Sequence, residues 1–578
     1  MKVFQYLLII IMFAGVQVIL PIHGATTSGA LASRKYQITA KAWGPNSDQV
    51  DAAKRRAENS LPVQALLKGT RYRLISVNYV DNTVNSPTHY IATFYDYTND
   101  RAFIAESDFG GKEPVKVREH VHQLAEGEYF PGIGIEELAD AYGVIKADKE
   151  LGSLYKTGQL QIYDAMPPIT IVNGERLVNV GITKKGVEMI VGVGFKNDRV
   201  VYYQGGAPPT SLAAPDTCGL ASRGCEGTGC ENGSAGQAQI TIRETPSQDP
   251  PLWDLLVIRP RVSSGNPTEG SGIEIRDVKY KGKSVLKRGH VPVLNVQYIP
   301  QTCGPYRDWQ YSEGAFMAPE AGAENPANGI RILAPGQIAT TSLETGDDLG
   351  NFKGVAIYTQ DVGTGYGQEV VMVSEMNAGW YRYLMEWRFA SDGTIRPRYG
   401  FGATKNSCVC LSHHHHAYWR FDFDVVQPNN KVFQVERGRK FMRPVLTESK
   451  ILRNYSTNRG FVIQNANGDE AYQLTPGRTD GTADAFGQND FWLLQYQGTP
   501  ASPLELDDLN DYDSPQGITA INIDPWLNNE SLVDQDVVVW YAAHFIHNDG
   551  ANLVDPDRSG LVLNGSHVVG PDLRPIRW

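Results

Sequence analysis

The sequence predicts a mainly β protein, in which a large antiparallel β-sandwich follows a small α+β domain. Three observations predict it. Helical apolar spacing is confined to two early stretches, residues 49–67 and 132–159. Beyond about residue 170, short alternating runs broken by Gly, Asn-Asp and Pro continue to the C-terminus, as strands and turns do. The chain has 578 residues, 41% hydrophobic and 20% charged, enough for more than one packed core and too apolar for disorder.

Lys2 precedes an apolar run from Tyr6 to Leu20, then Pro21, Gly24 and Ala25. A basic start, a short apolar stretch and a small-residue exit describe a secretory signal peptide over 1–24. The run is shorter than the roughly 20 residues of a spanning helix, so a secreted protein free of the membrane is expected. The net charge of −11 argues against nucleic acid or an anionic membrane as partner.

The first domain is expected over 25–170. It opens with the helical QVDAAKRRAENSLPVQALL (49–67) and continues with the alternating RYRLISVNYV (71–80), HYIATFYDYT (89–98) and RAFIAESDF (101–109). A helix pair with an acidic start follows at 132–159. Residues 171–250, with a Cys/Gly/Ser/Pro-rich stretch at 205–250, are expected as linker and excursion, and 251–578 as the sandwich. Runs such as WDLLVIRPRV, EVVMVSEM, RGFVIQN and DVVVWYAAHFIH supply its strands.

Six cysteines, at 218, 225, 230, 303, 408 and 410, are expected to pair as disulfides after secretion. Their spacing, C-x6-C-x4-C and C-V-C, does not match a zinc site, and their connectivity is not readable.

Four consecutive histidines occur in SHHHHAYWRFDFD, Ser412 to Asp424. Alternate residues of a strand share a face, so either His413 with His415 or His414 with His416 can hold one metal. A second cluster, HFIH with His544 and His547, ends the run DVVVWYAA. Three imidazoles with open positions suit Cu2+ or zinc.

These residues resemble the copper-containing amine oxidases. H-x-H-x4-R-x-D-x-D, read as His413, His415, Arg420, Asp422 and Asp424, is similar to that family's copper-ligand strand. The resemblance selects His413 and His415, and His547, seven residues after Trp540, as the third copper ligand over His544. SGIEIRDVKYKGKSVLKRG, TNRGFVIQNANGDEAYQL and NDFWLLQYQ follow the family's order, and the similarity covers most of 70–578.

The family converts one tyrosine into topaquinone, within T-x-x-N-Y-[DE]. Aligning NAGWYRYLMEWRFASDGTI through Trp387, Phe389 and Asp392–Ile395 places that precursor at Tyr381. Asn377 stands at the Thr position, Trp380 replaces the Asn, and Arg382 replaces the acid, where it is expected to alter the local field. The family's base is a carboxylate, for which Asp308 is the first choice and Glu313 the second; Tyr298 matches the tyrosine that hydrogen-bonds the quinone oxygen. Asp422, Asp424, Asp536 and the Val537 carbonyl correspond to a peripheral Ca2+ site, and hard oxygen ligands suit that ion.

The resemblance implies a secreted homodimeric oxidase that uses Cu2+ and topaquinone to convert a primary amine, O2 and water into an aldehyde, ammonia and H2O2. The departures at Trp380 and Arg382 imply the alternative, a copper-binding protein of the same fold with no quinone, acting by binding alone.

Overall fold

The computed structural model describes residues 36–80, 87–119, 131–184, 187–203, 218–233, 236–263, 270–299, 303–361, 367–438, 442–497, 521–547, 553–554, 561–562 and 568–578. The expected signal peptide lies outside them. No helix among the described residues is long and apolar enough to cross a membrane.

The dominant feature is a pair of large sheets, of ten and twelve strands, antiparallel but for the pairing of Ile330–Ile332 with Val355–Asp361. In the ten-stranded sheet, Lys283–Ile299, Ser412–Phe423 and Val537–His547 are consecutive neighbours at the centre. Tyr381–Ala390 lies in the twelve-stranded sheet between Gln368–Ala378 and Ile395–Ala403. Aromatic side chains from both sheets interlock between them: Trp387 meets Trp419 edge-on at 5.4 Å, and Trp253 meets Phe389 at 5.1 Å. The sandwich class expected from the sequence is the class observed.

The N-terminal α+β region differs in its limits. Its helical stretch 49–67 divides at Ser60, because Pro62 suits a helix start and not a helix interior. Asn46 caps the first helix in a reciprocal capping box with Gln49. A four-stranded sheet of 72–119 follows, then the helices Ile135–Ala147 and Leu151–Lys156, then a second four-stranded sheet over 160–202. The expected boundary at 170 therefore falls inside the strand Leu160–Val172. Glu175–Lys184, Val187–Gly194 and Arg199–Tyr202, in the stretch expected as linker, are strands of that second sheet.

Two further strands overturn the expected start of the sandwich at 251. Gln37–Trp43 and Gln237–Arg243 pair with each other and extend the ten-stranded sheet through Trp253–Ile258. The Cys/Gly-rich stretch is also tied in, since Cys225–Gly229 pairs with Gly350–Phe352. The buried Arg176–Glu137 ion pair, with Tyr97 donating to Glu137 at 2.8 Å, joins the two α+β sheets into one core.

Candidate metal and tyrosine centre

The strand Ser412–Phe423 sets His413 opposite both Tyr298 and His547 in its two neighbours. The His413 ring lies 4.6 Å from that of His547 and 4.9 Å from that of His415, and all three are buried. His413 Nδ1 donates to the Leu411 carbonyl at 2.7 Å, which leaves Nε2 bare. That nitrogen faces His547 Nδ1 at 3.1 Å. Two imidazole nitrogens bound to one ion at about 2.0 Å stand roughly 2.8–3.3 Å apart, so the pair is already at a chelating separation. Burial and His547 hold the His413 pKa well below the usual range, keeping the neutral ring that a metal requires.

Disulfides anchor the entrance to this strand. Cys408 and Cys410, in the turn Ser407–Cys410, bond to Cys303 and Cys218, while Cys225 bonds to Cys230. Leu411, whose carbonyl orients His413, directly follows the turn.

Tyr381 reaches the histidines from the opposite sheet. Its ring centre lies 5.0 Å from that of His415 and 5.6 Å from that of His413, and it is fully buried. Its hydroxyl is hydrogen-bonded to the Tyr298 hydroxyl, to which Trp380 Nε1 also donates at 2.9 Å. Phe401 stacks on His415 at 3.9 Å and closes the apolar side. Burial pushes the Tyr381 hydroxyl pKa well above its ordinary range, so the phenol is neutral. The turn before it needs glycine: Gly379 has φ +55°, and a Cβ there would sit 2.4 Å from Met166 Cγ.

Arg382 behaves otherwise than the sequence suggested. Its neighbour Tyr381 points into the sandwich, so alternation sends the guanidinium to the other face of the strand. There it pairs with buried Asp348 at 3.0 Å and donates to the Gly379 and Tyr381 carbonyls. Its charge is matched by Asp348, not directed at the Tyr381 ring.

The two proposed bases separate. Asp308 is 1% exposed, and its Oδ2 accepts from Tyr383, whose hydroxyl lies 3.3 Å from His415 Nδ1. The Tyr383 ring is 5.4 Å from that of Tyr381. Asp308 Oδ1 has no hydrogen-bond partner among the described residues, and burial pushes the carboxyl up to about 8. Glu313, in contrast, is committed to Arg259 at 2.6 Å and to the Arg261 amide. Such a buried pair is structural, so the structure does not bring Glu313 to the histidines.

No family model and no curated protein matches the sequence. Solved structures do. A copper-containing benzylamine oxidase from Hansenula polymorpha aligns over 94% of this chain and 98% of its own, with a TM-score of 0.58 and 13% identity. An amine oxidase from Aspergillus nidulans covers 92% and 88%, with a TM-score of 0.53 and 14% identity. Pichia pastoris lysyl oxidase covers 93% and 91%, with a TM-score of 0.53 and 11% identity. The fold is that of the copper amine oxidases.

Within this amine oxidase fold, Asp422, Asp424 and Asp536 bring their carboxylate oxygens within 4.8 Å of one another. Burial, with Asp422 beside it, pushes Asp424 up to about 7, and burial raises Asp422 as well. Val537 follows Asp536 and pairs with Phe423, which lies between Asp422 and Asp424, so its main chain borders the trio. The set can hold a hard cation.

The opposite face of the histidine strand holds an arrangement that sequence reasoning missed. His416 stands directly across from His544, with their Nδ1 atoms 2.7 Å apart. His414 Nδ1 lies 2.8 Å from Asp484 Oδ2. The signal available was the i, i+2 spacing of His414 and His416; the register that adds His544 was not.

Proposed function

We propose that this protein is a secreted copper- and topaquinone-dependent primary-amine oxidase, converting amine, O2 and water to aldehyde, ammonia and H2O2. The observation that carries the reading is the convergence of Tyr381 from one sheet on His413, His415 and His547 from the other. Copper and a quinone formed from Tyr381 supply the two-electron redox chemistry when present. His413, His415 and His547 would hold the copper.

The chain's own groups would do the rest. Tyr298, clamped by Trp380, fixes the orientation of the oxygen on residue 381. Asp308 takes the proton from the carbon beside the amine nitrogen. A carboxylate whose pKa is raised to about 8 is a stronger base than an ordinary one. Tyr383 holds it in place. Ca2+ at Asp422, Asp424 and Asp536, with the Val537 carbonyl, belongs to the same reading, as does a homodimer. The three disulfides support an oxidising compartment.

One observation favours the alternative, a copper-binding protein without a quinone. Trp380 stands at the Asn position, where its large ring lies against those of Tyr306 and Tyr381 and its Nε1 donates to Tyr298. Copper-loaded protein tested with a quinone stain and by intact mass decides between them. Oxidase chemistry requires a positive stain and a mass gain of two oxygens less two hydrogens. Stoichiometric copper with neither signal leaves only the binding protein.

A further inference from the structure

Alternation along Ser412–Phe423 turns His414 and His416 away from His413 and His415. On that other face His416 and His544 are both buried, at 0% and 3% exposure. The geometry points to a second metal site there, in which His416 and His544 bind one divalent first-row transition-metal ion such as Zn2+ through their facing Nδ1 atoms.

The proton inventory of the two rings carries the argument. His544 Nε2 faces only acceptors, the Asn489 carbonyl at 3.2 Å and Asp490 Oδ1 at 3.3 Å. In the neutral ring that nitrogen therefore carries the proton, and His544 Nδ1 then presents a bare lone pair to His416. If His416 donates from Nδ1 to that lone pair, its own Nε2 is left bare. Yet His416 Nε2 is buried, has no hydrogen-bond partner among the described residues, and has another acceptor, Asp484 Oδ2, as its neighbour at 3.7 Å. A metal ion removes the conflict. It takes both Nδ1 lone pairs, and the His416 proton moves to Nε2, where it faces the Asp484 carboxylate. Each ligand then donates its second ring N–H to an acidic or carbonyl oxygen, the arrangement that orients metal-bound imidazoles.

Room for the ion is present. A Cβ at Gly487 would lie 2.7 Å from both Nδ1 atoms, so the missing side chain leaves a space that both nitrogens border. Two donors at about 2.0–2.1 Å in tetrahedral geometry stand about 3.3 Å apart, so the rings need to part by only about 0.6 Å from their 2.7 Å separation. His414, hydrogen-bonded to Asp484, steadies the carboxylate that receives the His416 proton.

Zinc content per chain tests this on full-length protein stripped with chelator and dialysed against Zn2+ with excess Ca2+ to occupy the acid trio. Two equivalents are expected for the wild type. One is expected for His416→Ala/His544→Ala, and one for Gly487→Ala, which removes no ligand but fills the space. His413→Ala/His415→Ala is expected to lose the other equivalent and keep this one. Equal zinc in wild type and in folded His416→Ala/His544→Ala overturns the site and leaves a proton-shared imidazole pair. A single wild-type equivalent lost in His413→Ala/His415→Ala also overturns it while sparing the copper reading. A single equivalent that survives in His413→Ala/His415→Ala supports it and sinks the copper reading. The wild-type count with His413→Ala/His415→Ala decides the matter even if the other variants do not fold.

Discussion

The hydroxyls of Tyr298 and Tyr381 meet in one hydrogen bond that spans the two sheets of the sandwich. Tyr298 belongs to the strand beside the histidines, and Tyr381 to the sheet that covers them. Replacing Tyr298 by Phe removes one buried partner at a cost of about 1–3 kcal/mol. Under the oxidase reading, Tyr298→Phe retains the quinone stain, but kcat/KM falls about 10- to 100-fold. Tyr381→Phe abolishes the stain and the mass gain altogether. A stain that persists in Tyr381→Phe would move the cofactor to another residue.

Under the oxidase reading, Asp308 as the base gives the activity a pH signature. Its carboxyl is held near 8 in the folded chain, against about 3.9 for an ordinary aspartate. A base works only when ionised, so kcat/KM is expected to rise with pH through about 8 and then level. Asp308→Asn is expected to lose about 10²- to 10⁴-fold in rate while keeping the stain. Stability moves the other way. Between about pH 4 and 8 the unfolded chain is ionised here while the folded chain keeps its proton, so this group's stabilising contribution is lost as pH rises. Denaturant titrations of Asp308→Asn should show a shallower decline across that window.

The disulfide between Cys303 and Cys408 closes a span of 105 residues onto the turn that launches the histidine strand. Cys303→Ser/Cys408→Ser is expected to lower unfolding free energy by about 2–4 kcal/mol. Guanidinium titration checks this, and added reductant should bring the wild type toward the double variant.

Asp348 and Arg382 form a buried pair behind Tyr381. Asp348→Ala leaves the guanidinium buried without its counter-charge, and a loss of about 3–5 kcal/mol is expected. Replacing both by apolar residues of similar volume should recover most of that loss. Thermal denaturation of the two variants side by side measures the difference.

The acid trio predicts opposite responses to pH with and without Ca2+. Asp424 is raised to about 7, so in calcium-free buffer its stabilising contribution is lost as pH rises from about 4 through 7. Added Ca2+ needs the ionised form, so the calcium-induced rise in Tm should grow over the same range. Asp424→Asn should abolish that rise, and a Tm insensitive to Ca2+ at pH 8 would remove the ion from the trio.

Much of the site was legible because a strand's period is local. Two-residue alternation alone put His413 with His415 and His414 with His416, and it marked the long C-terminal half as sheet. It did not say which face turns inward, since that depends on the sheet that covers it, here the one bearing Tyr381 and Phe401. Partners brought from a distance were equally out of reach. Glu313 is claimed by Arg259, 54 residues away, and Arg382 by Asp348, 34 residues away. The strand Gln37–Trp43 joins the large sheet through Gln237–Arg243, while the strands between Leu160 and Tyr202 form a separate sheet, although all these runs alternate alike. Composition and local period determined the element types and the paired histidine faces. Register, sheet pairing and disulfide connectivity were decided only by tertiary structure, because hydrogen-bonded edges and packed faces take their partners from anywhere in the chain.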